Sequence, residues 1–240
     1  MKRKLIYTGI TVGFIALFLM IGIKFMDDDS WKSWNLPLTG KVIVLDAGHG
    51  GPDGGANVSS IVEKEVSLAV TLKLRDFLQE QGAFVVLTRK NDKDLADKET
   101  KGIRMRKQQD LRNRVKLIND SNADLFLSIH LNAFPSSKWK GAQTFYTARY
   151  EENERAAQFI QAEIKRNLEN TSRSAKIINN IYLMRNAKKP GALVEIGFLS
   201  NPEERGNLIK DSYQEKIAAS IYKGVLRYFT EDTVPSKDQQ

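Results

Sequence analysis

The only imidazoles in this 240-residue chain are two histidines, and each stands where an apolar run gives way to a loop. His49 follows Val42-Ile43-Val44-Leu45-Asp46-Ala47-Gly48, and His130 follows Leu125-Phe126-Leu127-Ser128-Ile129. The carboxyl end of a strand is where α/β proteins commonly bind and react, and an imidazole there is a ready metal ligand. Two carboxylates extend the set. Glu63 comes after Gly50, Gly51, Gly54 and Gly55, a stretch that can fold it back beside His49, and Glu195 interrupts the apolar run Ala192-Leu193-Val194-Glu195-Ile196-Gly197-Phe198-Leu199. A carboxylate in such a run is costly to bury without a partner or a task. Metal-assisted hydrolysis needs two or three ligands, an open coordination position and a carboxylate that takes a proton from water. These four residues are parts of the right kind.

Each of them also has a structural role open to it. A strand-end histidine can serve as a hydrogen-bonded structural residue, Glu63 as a helix N-terminal charge, and Glu195 as an ion-pair partner of Arg112 or Arg114. Asp46 could hold His49 through its free ring nitrogen or cap a turn. Asn132 could orient a ligand or bind substrate, or cap a loop. Arg112 or Arg114 could reach a substrate carboxylate from the helix before His130, or pair on a solvated helix face. The charged stretch 91–109 reads as a solvated loop or as the rim of a groove. Several chemistries are excluded. The glycine stretch lacks the Gly-Lys-Ser/Thr ending of a phosphate loop and the spacing of a dinucleotide fingerprint, no Gly-x-Ser-x-Gly elbow occurs, and without cysteine there is no thiolate.

The elements that must position these residues alternate between strand and helix. Strands are predicted over 41–47, 83–88, 124–129, 141–147 and 192–196. Helices are predicted from Val66, Val70, Leu74, Phe77 and Leu78 over 63–80, from Leu111, Val115 and Ile118 over 104–120, and from Ala156, Ile160, Ile164 and Leu168. A last helix opens on Ser212 and Glu215 as a capping box and continues through Ile217, Ile221, Val225 and Phe229. The expected class is α/β, with a mixed, mostly parallel sheet flanked by helices on both faces.

The chain's ends read differently from its middle. Lys2-Arg3-Lys4, an uncharged run from 5 to 23, and then Lys24 and Asp27-Asp28-Asp29 describe a transmembrane helix, read as an uncleaved anchor in preference to a removed signal peptide that would leave the protein secreted. Its charge asymmetry places the N-terminus in the cytoplasm and the remainder outside the cell. The expected organisation is an anchor at 1–26, a linker at 27–40 carrying Trp31 and Trp34, a catalytic domain at 41–230 and a flexible tail at 231–240. A net charge of +8 suits an anionic wall polymer or lipid surface, and the extracytoplasmic topology argues against nucleic acid.

Taken in order, Leu45-Asp46-Ala47-Gly48-His49-Gly50-Gly51, Glu63-Lys64, Ser128-Ile129-His130-Leu131-Asn132-Ala133 and Val194-Glu195-Ile196-Gly197-Phe198-Leu199-Ser200-Asn201 resemble the zinc-dependent N-acetylmuramoyl-L-alanine amidases of the type 3 family. The resemblance spans about 41–229. It implies a fold like that of zinc exopeptidases, one zinc ion held by His49, Glu63 and His130, and Glu195 as the catalytic glutamate. Glu65 is a competing ligand, but the family's glutamate precedes the lysine, which selects Glu63. Alanine at 47 and leucine at 131 depart from the proline and alanine common there, beside the ligands rather than at them. The implied substrate is peptidoglycan. An anchor plus catalytic domain without appended wall-binding repeats resembles the germination-specific amidases of spore-forming bacteria, which strip stem peptides in the cortex of the developing spore envelope. Their implied partners are a deacetylase that completes the muramic δ-lactam, or an accessory lipoprotein. A general vegetative wall amidase, a zinc peptidase or deacetylase, and a non-catalytic wall-binding protein are the alternatives.

Overall fold

In the computed structural model, which describes residues 11–18, 20, 36–231 and 233, the apolar run after Lys41 forms strand β1 (Val42–Ala47), buried along nearly its whole length. A short hairpin of β2 (Asn57–Val58) and β3 (Ile61–Val62) leads into helix α1 (Glu63–Glu80). Its turn residues Ser59 and Ser60 both have positive φ, as the twist of a two-residue hairpin favours. Then follow β4 (Phe84–Leu87), α2 (Ile103–Asp120), β5 (Leu125–Asn132), β6 (Gln143–Tyr146), α3 (Glu151–Leu168), β7 (Lys176–Ile177), α4 (Tyr182–Asn186), β8 (Gly191–Phe198), α5 (Pro202–Leu208) and α6 (Asp211–Thr230).

The main sheet has the order β4-β1-β5-β8-β6-β7. The first four strands are mutually parallel; β6 runs antiparallel to β8, and β7 parallel to β6. The mixed, mostly parallel sheet expected from the alternation is therefore present. Successive side chains on a strand point to opposite faces, which divides the interior in two. Ile43, Leu45, Leu127, Ile129 and Val194 pack with Leu74 of α1, Ile160 of α3 and Ile221 of α6. On the other face Val44, Phe126 and Leu193 meet Ile118 of α2 and Leu183 and Met184 of α4. The same period carries Asp46, Ser128, His130 and Glu195 onto the α2 side, near the carboxyl ends of three adjacent strands.

Helix α2 does not bury the apolar stripe its sequence suggests. Its fully buried side chains are Asp110, Arg114 and Ile118, while Leu111 and Val115 are only partly covered. Arg114 donates to Asp110 (2.8 Å), to Asp46 and the Ala47 carbonyl (2.7 Å each), and to the His49 carbonyl (2.5 Å). Asp46 also accepts from Thr88 (2.8 Å) and Ser128 (2.6 Å). Arg114 is thus neither a solvated surface charge nor free for a substrate carboxylate. Burial alone would raise the pKa of Asp46, but Arg114, Ser128 and His130 outweigh it and hold the carboxyl below its usual range. A depressed carboxylate pKa contributes stability above the unfolded-state value near 4, and that contribution is lost as pH falls through the folded value. Asp46→Asn is expected to cost about 3 kcal/mol at pH 7, because it removes one partner of a buried ion pair. In urea melts this gap should narrow as pH falls below about 4; a gap unchanged between pH 7 and pH 3 would contradict the pairing.

The capping box at Ser212 and Glu215 is not formed. The helix begins at Asp211 after an extended Lys210, and no side chain caps it. The Lys210 carbonyl accepts the Tyr213 and Gln214 amides, and the Gln214 side chain returns to the Leu208 carbonyl (2.8 Å), so Ser212 lies inside the first turn. The true side-chain cap is at α5, where Asn201 accepts from the Glu203 and Glu204 amides ahead of Pro202.

The domain's packing begins at Pro37, and Leu38, assigned to the linker by sequence, is fully buried with its amide on the Gln81 carbonyl. In the N-terminal unit, residues 11–18 and 20 are helical. Among the described residues no helix is long and apolar enough to cross a membrane. The rest of the expected anchor, together with Trp31 and Trp34 and most of the expected tail, lies outside the described residues.

Candidate metal centre

The loop after β1 is fixed from several sides. Gly48 donates to the Ile129 carbonyl (3.0 Å), and a side chain at Gly48 would collide with the His130 imidazole. His49 takes the left-handed conformation, φ 61°, a strain of order 1 kcal/mol that persists only where the surroundings impose it. Arg114 holds its carbonyl, while the buried Arg89 guanidinium donates to the carbonyls of Ala47 (2.9 Å), Gly48 (2.8 Å) and Lys64 (2.7 Å). This ties the β1 loop to the start of α1. Gly55, φ 69°, leaves the space in which the Glu63 carboxylate and the His49 ring approach each other.

Glu63, the first residue of α1, brings Oε1 to 3.2 Å from His49 Nε2 and 3.0 Å from His130 Nδ1. The same oxygen accepts the Leu131 amide (3.0 Å), and Oε2 accepts the Ala56 amide (2.9 Å). The two imidazoles stand edge to face with centroids 5.0 Å apart. One ligand atom from each of His49, Glu63 and His130 lies within 4.8 Å of the others. Two imidazole nitrogens and one carboxylate, with backbone amides fixing the carboxylate, form a donor set that fits zinc.

His49 is oriented by Asp53, not by Asp46. His49 Nδ1 lies 2.9 Å from Asp53 Oδ2, which also accepts from Lys107 at 2.9 Å. Burial would lower the His49 pKa, but its hydrogen bonds to Asp53 and Glu63 push it up to about 9. Burial works against the ionised Glu63 in turn, yet His130 and His49 hold its carboxyl well below the usual range.

Glu195 lies directly opposite His130 in the β5/β8 register. Its Oε2 is buried with no hydrogen-bond partner among the described residues. Burial pushes its pKa up, the neighbouring His130 draws it down and Glu63 adds to the rise, leaving it at about 7. It pairs with neither Arg112 nor Arg114. Arg112 is exposed on α2, outside the cluster. Asn132 sits at a register shift at the end of β5, where its carbonyl accepts the Leu199 amide (2.8 Å); its side chain makes no hydrogen bond among the described residues. Asp53 and Arg89 escape sequence reasoning. The only signals are an acid four residues after His49 and an arginine just past an apolar strand.

Residues 43–227 match the Amidase_3 family, described as N-acetylmuramoyl-L-alanine amidase. The chain belongs to that family. The amidase is 58% identical over 235 residues to the germination-specific N-acetylmuramoyl-L-alanine amidase of Bacillus subtilis, a match spanning 98% of this chain and 99% of that one. Among solved structures it is similar to the CwlD amidase from Clostridioides difficile in complex with the GerS lipoprotein. There the identity is 44% and the TM-score 0.78, over 80% of this chain and 100% of that one. An N-acetylmuramoyl-L-alanine amidase from Clostridium difficile 630 matches at 30% identity and a TM-score of 0.70, over 80% and 98% of the two chains. The enzyme is accordingly an N-acetylmuramoyl-L-alanine amidase with peptidoglycan as its substrate.

Proposed function

We propose that this amidase uses one zinc ion, held by His49, Glu63 and His130, to release stem peptides from spore cortex peptidoglycan. The observation that carries the reading is the convergence of those three ligand atoms beside Glu195, whose buried Oε2 has no hydrogen-bond partner among the described residues. Bound zinc supplies Lewis acidity that polarises the scissile carbonyl and lowers the pKa of water. Glu195 accepts the proton of the attacking water as the carbon–oxygen bond forms, and returns it to the alanine nitrogen as the carbon–nitrogen bond breaks. The products are a lactyl carboxyl on muramic acid and a stem peptide with a free L-alanine amine. Burial raises the pKa of Glu195 above that of a free carboxyl, which strengthens it as a proton acceptor. Asp53 holds the His49 ring so that Nε2 faces the cluster.

The 58% identity to a germination-specific amidase over nearly the whole chain supports a cortex role. In that role the stripped muramic acid passes to a deacetylase that completes the δ-lactam. The domain acts outside the cytoplasm, tethered by residues 1–26, and a lipoprotein of the kind bound to CwlD is a candidate accessory partner. Digestion of cortex fragments is expected to yield intact stem peptides with free L-alanine amines, and thorough chelation to stop it. Mass analysis of the products checks both. Undiminished release after zinc removal would refute the mechanism, and cleavage within the stem peptide would make the enzyme a peptidase.

A further inference from the structure

Beside the metal centre lies an aromatic ledge that the hydrolytic chemistry does not use. The loop at 133–140 continues β5 directly past His130 and Asn132, and it exposes Phe134 (50%) and Trp139 (51%). The Phe134 ring lies 6.0 Å from that of Phe198 and 6.3 Å from that of Trp139. Arg173 stacks on two of these rings, 5.4 Å from the Phe198 centroid and 5.8 Å from the Trp139 centroid.

The ledge is anchored at both ends. Phe134 N donates to Ser200 Oγ (3.2 Å), and Asn201 Nδ2 donates to the Ser137 carbonyl (2.9 Å). The Arg173 guanidinium is spent on the Lys140 carbonyl (3.2 Å from Nε and from Nη2) and on Gln143 Oε1 (3.3 Å), so it braces the rings and is not a free anion site. Gln143 in turn pairs in register with Glu195, as Glu195 does with His130. His130, Glu195 and Gln143 thus form one row across three strands, and Arg173 and the aromatic rings continue it.

We propose that Phe134 and Trp139 bind a sugar ring of the glycan strand flanking the muramic acid whose amide is cleaved. The inference deepens the amidase reading and rests on it. The C–H face of a hexopyranose is apolar and carries slightly positive hydrogens, which suits the negative face of an aromatic ring. An open ledge running on from the catalytic row admits a polymer in mid-chain, whereas an enclosed pocket would require a chain end. Lys138 and Lys140 are exposed on either side of Trp139, so the ledge offers cations as well as rings. It is the two exposed ring faces of Phe134 and Trp139 that suit the C–H face of a neutral sugar, and a probe without charge separates this from attraction of a carboxylate.

The probe is an oligosaccharide of N-acetylglucosamine, which bears no carboxylate, titrated into the zinc-loaded enzyme by calorimetry. It contains no scissile amide, so its binding is read independently of hydrolysis, and failure of the ledge is distinct from failure of the zinc mechanism. The wild type is expected to bind it, Trp139→Ala to bind about tenfold more weakly, and Trp139→Phe to recover most of the loss. On peptide-bearing glycan, Trp139→Ala should raise KM about tenfold with kcat within about threefold. If the wild type does not bind the oligosaccharide, or Phe134→Ala and Trp139→Ala bind it as the wild type does, the ledge serves a protein partner or the stem peptide and the proposal falls.

Discussion

Glu195→Gln is expected to lower peptidoglycan hydrolysis about 10³-fold while leaving the zinc content and thermal stability near those of the wild type. Glutamine keeps the shape of this half-buried side chain of β8 and removes its capacity to take a proton. Glu195 lies outside the three-residue ligand cluster, so loss of its charge leaves the donor set whole. The pH profile provides a second reading. A general base acts as its carboxylate, so kcat/KM rises with pH through the pKa of Glu195. In the chain alone that value is about 7, set by burial and by the facing groups His130, Glu63 and His49. A metal cation on those same groups draws it lower, so the acidic limb of the loaded enzyme falls below 7 and should disappear in the variant. A glutamine variant retaining a tenth of wild-type turnover would remove Glu195 from the mechanism.

His130→Ala should abolish both activity and tight zinc retention. A group that merely supports a ligand already contributes about 10–100-fold to metal affinity, and losing the ligand itself costs more. Asp53→Ala, which releases the His49 ring without removing a donor, should fall within that 10–100-fold range. Competition with a chromophoric chelator gives both affinities. The same titration carries a pH signature. The His49 pKa of about 9 means that metal binding displaces a proton at neutral pH, so affinity should climb with pH until about 9. Affinity equal to wild type in His130→Ala, or flat between pH 6 and 9, would count against the proposed ligand set.

Three of the residues that carry the proposed chemistry, His49, His130 and Glu195, were legible for a physical reason: each breaks the pattern of its own element, whereas Glu63 is an ordinary first-turn acid beside Glu65 and was picked out by the resemblance. Histidine at a strand end and glutamate inside an apolar run stand out against what a buried strand otherwise contains. The supporting residues follow no local pattern. Asp53 looks like a turn acid, Arg89 like the polar close of a strand, and Arg114 like a charge on a helix whose apolar positions suggested a different buried face. The roles of Arg89 and Arg114 depend on contacts across long separations in sequence, such as Arg114 with Asp46, which no window of a few residues contains, while Asp53 is only four residues from His49 and its role depends on how the loop turns. The false capping box has the same origin. Ser212 and Glu215 have suitable spacing, but the turn out of α5 starts the helix two residues earlier, with Lys210 at the cap. Strand alternation predicted the sheet's class, whereas the reversal at β6 is a tertiary choice.

β8 enters the sheet between β5 and β6 although it is the last strand in sequence among the described residues. Until residues 191–198 arrive, β5 has no neighbour on that side and β6 has no bridge to the parallel half. Glu195 arrives with that same strand. Assembly of the site is therefore coupled to closure of the whole sheet, a long-range step of the kind that folds slowly. A chain still emerging from the ribosome holds both histidines and Glu63 but not Glu195, the proposed proton carrier. A wall-cutting enzyme built this way stays silent until nearly its entire catalytic domain has been delivered and folded.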